Sequence, residues 1–217
     1  MYSILEHYLS TNHILMIGMI VTFILTFFLL EHPFSFLPSD QGRAFAVNGS
    51  LSKGKLRGVG FIFVLCFLIS SVLFLPIDVE YVIYAILLFA MMISGYLDDA
   101  SKTPWNEYKK GLIDLVISIV AVLTYMNFNS TTICFGADEI VIPKALFLIL
   151  GVILIWVSVN VTNCTDGVDG LCASLCSVTL LAFGVLFAPI LQKYAMANFL
   201  FLSVLPICTL TAHPAAC

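Results

Sequence analysis

Two polar groups interrupt an otherwise apolar chain, and both have residue types that could do chemistry. The first is Asp98-Asp99, closing the apolar run Tyr81–Leu97, with Lys102 and then Lys109-Lys110 behind it. The second is Asn160, Asn163, Asp166 and Asp169, recurring at every third position, with Gly167 and Gly170 between and after the acids. Adjacent acids at a helix C-terminus sit where the backbone already carries partial negative charge, so they invite a cation. Hard oxygen donors suit Mg²⁺, which takes one or two carboxylates together with substrate phosphates. Lysines nearby can hold phosphate oxygens as point charges. If the helix continues through the second group, spacing of three keeps its members on one side. If it breaks at Gly167 or Gly170, a polar loop is held at the membrane surface. A solvated interfacial loop accounts for the first group without chemistry, and an Asp-Gly turn accounts for part of the second. The turn leaves Asn160 and Asn163, at the end of a long apolar run, unexplained. Carboxylates, lysines and amides at a bilayer edge suit phosphoryl transfer from a nucleotide to a lipid phosphate, where positioning and charge neutralisation carry the reaction.

The elements that must position these groups follow from composition. Of 217 residues, 61% are hydrophobic and 10% charged. Soluble domains are nearer half apolar and a quarter charged, so a water-soluble globule, a disordered tail and a broad basic nucleic-acid binder are excluded. The chain reads as a single integral membrane domain, 1–217, of the all-α polytopic class. Helices are expected at Ile14–Leu30, Val59–Leu75, Tyr81–Leu97, Leu112–Met126, Ala145–Val159, Leu171–Ala188 and Phe199–Thr211. Arg43, Lys53, Lys55, Arg57, Lys102, Lys109 and Lys110 fall on one side of the bilayer, against Lys144 and Lys193 on the other. That bias puts the N-terminus outside and loops 31–58, 98–111 and 160–170 in the cytoplasm. Both polar groups then share the cytoplasmic face. The seven cysteines form no Cys-x-x-Cys pair and have no histidine cluster beside them, so neither a disulfide framework nor a zinc site is expected. Trp105 and Trp156 read as interface anchors.

Leu97-Asp98-Asp99, a lysine-bearing loop, and then Asn160-Val161-Thr162-Asn163-Cys164-Thr165-Asp166-Gly167-Val168-Asp169-Gly170-Leu171 resemble the polyprenyl-phosphate N-acetylhexosamine-1-phosphate transferase superfamily. The Thr-Asp-Gly form resembles its phospho-N-acetylmuramoyl-pentapeptide transferase branch. The resemblance implies transfer of phospho-MurNAc-pentapeptide from its UDP carrier to undecaprenyl phosphate, giving lipid I and UMP in peptidoglycan synthesis. It implies Mg²⁺ dependence, a multi-pass place in the bacterial plasma membrane, contact with membrane lipid rather than nucleic acid, and room for a homodimer. By motif, Asp98, Asp99 and Asp166 are catalytic and metal-binding residues. Lys102 and one of Lys109 or Lys110 match phosphate-binding loop lysines. Asn160, Asn163 and Asp169 match substrate-binding positions.

Which member of the Asp98-Asp99 pair binds metal and which acts as a base stays open at this point. Ser52–Gly60 stands where the family has a Pro-Thr-Met-Gly-Gly segment, and Lys53 and Lys55 are its substrate-binding candidates. The family has roughly ten helices, and Ala212–Cys217 resembles the stretch before its Met-Gly-Asp motif. The chain is therefore expected to be an N-terminal portion of such an enzyme. Three alternatives remain: GlcNAc-1-phosphate transfer to a polyprenyl phosphate, a catalytically incomplete fragment, and a transporter. A transporter would place its charges near the bilayer midplane. Here they collect at helix ends.

Overall fold

A computed structural model describes residues 1–31, 37, 60–101, 105–135, 138–165, 171–187 and 199–201. The order is α1 (Tyr2–Leu5), α2 (Thr11–Glu31), α3 (Gly60–Phe74), α4 (Val79–Ala100), α5 (Glu107–Phe128), β1 (Thr132–Phe135), β2 (Asp138–Val141), α6 (Lys144–Thr165) and α7 (Leu171–Phe187). Among the described residues, four helical stretches are long and apolar enough to cross a membrane: Thr11–Leu30, Val79–Ala100, Glu107–Phe128 and Lys144–Asn163. Gly60–Phe74 and Ser174–Leu186 are apolar but shorter. The α-helical multi-pass class expected from composition is what the backbone adopts. The last expected helix is described only at 199–201, and its remainder, 202–211, lies outside the described residues.

Three helices run past their expected ends, and each extension bears on chemistry. The apolar run of α4 continues through Asp98 and Asp99 to Ala100, so both acids occupy its final turn. Starting at Glu107, α5 takes Lys109 and Lys110 into its first turn. Reaching Thr165, α6 keeps Asn160 and Asn163 helical. Apolar periodicity cannot see these polar turns; a capping residue marks only that of α5, while Asp78 marks the opposite, first turn of α4. Asp78 Oδ1 accepts from the Tyr81 N–H at 2.8 Å and starts α4. Asn106 Oδ1 accepts from the Tyr108 N–H at 3.2 Å and starts α5. Such caps stabilise a helix by about 1 kcal/mol each.

Between α5 and α6 the chain forms an antiparallel hairpin not anticipated from the sequence, with Thr132 opposite Val141 and Phe135 opposite Asp138. β-Branched Thr132, Ile133, Ile140 and Val141 favour the extended backbone. At the same end of the molecule Asn129 Nδ2 donates to Glu80 Oε1 at 2.7 Å, tying the end of α5 to the start of α4.

Within the helices, several hydroxyls are satisfied along the backbone. Thr22 donates to the Gly18 carbonyl, Thr26 to Thr22, Ser118 to Asp114 and Thr124 to Val120. In a lipid environment that removes the cost of an unmet polar group. Small residues let neighbours approach closely. A Cβ at Gly151 on α6 would lie 3.1 Å from Val122 Cγ1 on α5. That close approach brings the far end of α6 within reach of the first turn of α5.

Gly151→Val is expected to push α6 off α5 and lower stability by about 1–3 kcal/mol, the usual cost of overpacking. Gly111→Ala places its Cβ an ordinary 3.8 Å from Trp156 Cζ2. It should be neutral or stabilise by up to about 1 kcal/mol through helix propensity. Thermal unfolding in detergent distinguishes the two.

Candidate active site

The C-terminus of α4, the N-terminus of α5 and the C-terminal half of α6 meet at one end of the bundle. Their meeting point is the Lys110 ammonium. Its Nζ lies 3.2 Å from Asp98 Oδ2 and donates, also at 3.2 Å, to Asn163 Oδ1. The relative exposures of the Lys110 and Asp98 side chains are 26% and 21%, so the pair sits at a boundary and not in a dry core. Exposed ion pairs contribute about 0.2–1 kcal/mol. The bridge therefore sets the register of three helices more than it stabilises them.

Asp98 is held from its other side too. Its Oδ1 accepts from the Trp105 N–H at 3.0 Å, and its backbone carbonyl accepts from both the Ser101 N–H and the Ser101 hydroxyl. The turn after α4 folds back on the acid that ends it. Lys109 takes a different path from Lys110, with its ammonium 3.6 Å from the centroid of the Trp105 ring. Of the two lysines offered by the sequence, Lys110 joins the carboxylate and the amide, and Lys109 stacks beside them. Asp99 is exposed at the end of α4.

Two features of α6 set the position of Asn163. Trp156 Nε1 donates to the Gly111 carbonyl at 2.8 Å, pinning α6 to the residue after Lys110. Asn160 Nδ2 donates to the Trp156 carbonyl at 2.8 Å, so its amide is turned back along its own helix. The structure brings Asp98, Lys110 and Asn163 together, with Asn160 one turn away. Lys53, Lys55, Lys102, Asp166 and Asp169 lie outside the described residues.

Sequence reasoning read Trp105 and Trp156 as interface anchors. It did not foresee the Trp105 N–H bond to Asp98 or the Trp156 bond to Gly111. A tryptophan one turn before Asn160, opposite a glycine in the next polar turn, was the available signal for the second. The first is a backbone bond and leaves none. Among the described residues no three acidic, histidine or cysteine side chains gather in one place. The adjacent carboxylates of Asp98 and Asp99 are hard donors at a partly exposed helix end. They are the donor type Mg²⁺ takes when phosphates supply the rest, and Asp98 would share its oxygens with the Trp105 N–H and Lys110.

The glycosyl transferase family 4 model matches residues 81–216, which include Asp98, Asp99, Lys109, Lys110, Asn160 and Asn163. The chain belongs to that family. It is similar to the phospho-N-acetylmuramoyl-pentapeptide-transferase of Treponema pallidum, strain Nichols, with 34% identity over 189 residues that cover 85% of this chain and 52% of the relative. A second relative with the same name, from Microcystis aeruginosa, is 33% identical over 144 residues, covering 60% of this chain and 39% of its own length. A third, from Gloeothece citriformis, is 27% identical over 121 residues. The chain thus spans about half the length of the first of these curated relatives. In this family 4 member Asp98 of α4 and Asn163 of α6 are joined by the Lys110 ammonium.

Trp156→Phe keeps the ring and removes the N–H that reaches Gly111. It is expected to lower stability by about 0.5–1.5 kcal/mol, the worth of one hydrogen bond. Chemical or thermal unfolding of the detergent-solubilised protein measures the change.

Proposed function

We propose that the chain serves transfer of phospho-MurNAc-pentapeptide from UDP-MurNAc-pentapeptide to undecaprenyl phosphate, releasing UMP and forming lipid I. The observation that carries this reading is the Lys110 ammonium held between Asp98 and Asn163 at one end of apolar, membrane-length helices. A reaction between a soluble nucleotide and a lipid phosphate needs such a site at the bilayer edge. In sequence, seven of the nine basic residues fall in loops 31–58 and 98–111, a bias that supports a cytoplasmic site where the nucleotide donor would be met. The names of the relatives support the choice of donor and acceptor.

In this reading a phosphate oxygen of undecaprenyl phosphate attacks the β-phosphorus of the donor. A new phosphoanhydride bond forms, the α–β bond breaks, and UMP leaves with the bridging oxygen. Lys110 provides fixed positive charge for the pyrophosphate, and Lys109, beside Trp105, provides a second cation at the same rim. Asn163 orients Lys110 through its amide oxygen. Asp98 and Asp99 would hold Mg²⁺, with Asp166 from the segment after α6, and the ion would neutralise charge on the donor pyrophosphate. Catalysis then comes from positioning and charge stabilisation. Lys53, Lys55, Lys102 and Asp169 complete the proposed substrate contacts. The lipid substrate enters from the membrane, and a homodimer is compatible with the apolar outer faces of α6 and α7.

The test is UMP release by the purified chain in detergent with undecaprenyl phosphate and Mg²⁺, offered UDP-MurNAc-pentapeptide or UDP-GlcNAc. Mg²⁺-dependent release with the muramoyl donor is expected. Asp99→Asn should lower it by at least about a hundredfold while the protein stays folded, as loss of a group acting on the transition state does. Release with UDP-GlcNAc alone would move the protein to GlcNAc-1-phosphate transfer. A folded chain silent with both donors would refute activity for these 217 residues.

A further inference from the structure

One ionisable side chain deep in the helix bundle has no part in the transfer just described. Asp114 lies one turn beyond Lys110 on α5, with 3% of its surface exposed. Its helix neighbours Ser118 and Val122 are buried on the same face, and Val122 meets Gly151 of α6. A carboxylate at such a position in a membrane-crossing helix is costly and implies a specific partner. Lys110 precedes it by four residues on α5, so the two side chains share one face of the helix, one turn apart. Helix stability does not explain the placement. An acid four residues after a lysine is the less favourable order for an isolated helix.

The opposing helix carries a second unexplained polar group. Ser94, one turn before Asp98 on α4, is 7% exposed, and its hydroxyl has no hydrogen-bond partner among the described residues. Because Asp98 and Lys110 meet and the helices run antiparallel, Ser94 and Asp114 stand at the same level, one turn deeper. Two buried polar groups beneath the Lys110–Asp98 pair extend the polar column into the bundle.

We propose that Asp114 is the buried counter-ion that positions Lys110, keeping its ammonium aimed at the Asp98–Asn163 gap when a donor phosphate competes for it. Lys110 has two surface partners, Asp98 and Asn163, and a pyrophosphate would draw it away from both. A flexible four-carbon stem alone does not hold a direction. A fixed negative charge one turn below does, and it also offsets the cost of leaving Asp98. This role rests on the transferase reading for its consequence, but not for the placement of Asp114 one turn from Lys110 on the same helix.

A double-mutant cycle with Asp114→Asn and Lys110→Met tests it in two readouts, on the full chain in detergent. The first is the unfolding midpoint. Lys110→Met strands a buried carboxylate and should lower the midpoint by several degrees, and adding Asp114→Asn should restore part of that loss. If the second change instead deepens the loss, Asp114 is not the counter-ion and the proposal fails. The second readout is affinity for UDP-MurNAc-pentapeptide. Asp114→Asn alone should weaken it about tenfold, the size of one charge-assisted contact, and should add nothing in the Lys110→Met background. Unchanged affinity in Asp114→Asn would reduce the pair to a structural one and overturn the positioning role. Absence of donor binding by the unsubstituted chain would refute the transferase reading, while the unfolding cycle would still decide whether Asp114 holds Lys110.

Discussion

Two charge placements, each unfavourable on its own helix, cancel across the turn between them. Asp98 and Asp99 end α4, where the helix dipole is negative, and Lys109 and Lys110 begin α5, where it is positive. Neither arrangement would stabilise an isolated helix. Brought together in a hairpin, the Lys110 ammonium meets the Asp98 carboxylate at 3.2 Å, and each answers the field that the other helix end creates. The same ammonium reaches Asn163 and so fixes where α6 ends relative to both. The local conflict is resolved only by the tertiary contact. A site built this way exists when the three helices are assembled and not before.

The membrane imposes the rest. With lipid on the outside, helices gain little from burying apolar surface against one another, and close packing at small residues takes over. Gly151 against Val122 and Gly18 against Phe74 are such contacts, with Cβ positions that would lie about 3.1 Å from the neighbouring side chain. Thr22, Thr26, Ser118 and Thr124 turn their hydroxyls back on carbonyls of their own helices and leave those interfaces free for packing. The contacts of Lys110 with Asp98 and of Asn129 with Glu80 lie at the two ends of the α4–α5 pair.

Much of this was legible in the sequence, and the rest was hidden for definite reasons. Apolar runs located α2 through α7, because a span of hydrocarbon leaves few other ways to bury a backbone. They stopped short at Leu97, Leu112 and Val159, since hydropathy falls where the functional turns begin. The capping residue Asn106 carried the missing boundary information for α5. The Asp98-Asp99 and Asn160–Asn163 groups stood out by type and spacing. Their union through Lys110 in preference to Lys109 depended on which lysine faces α6, and adjacent lysines differ by about a hundred degrees around the helix. The hairpin of β1 and β2 was too short to announce itself. The placement of Lys53, Lys55, Lys102, Asp166 and Asp169 lies outside the described residues.

The bond between Asn129 and Glu80 gives the α4–α5 pair a second fastening, at the end away from Lys110. Pinned top and bottom, the two helices behave as a single stiff plank. Against it, α6 has two polar ties, an indole N–H and a lysine, both near one end, besides its packing of Gly151 on Val122. A molecule that draws Lys110 away from Asn163 removes one of those ties and leaves the Trp156 bond to Gly111 holding α6 to the pair.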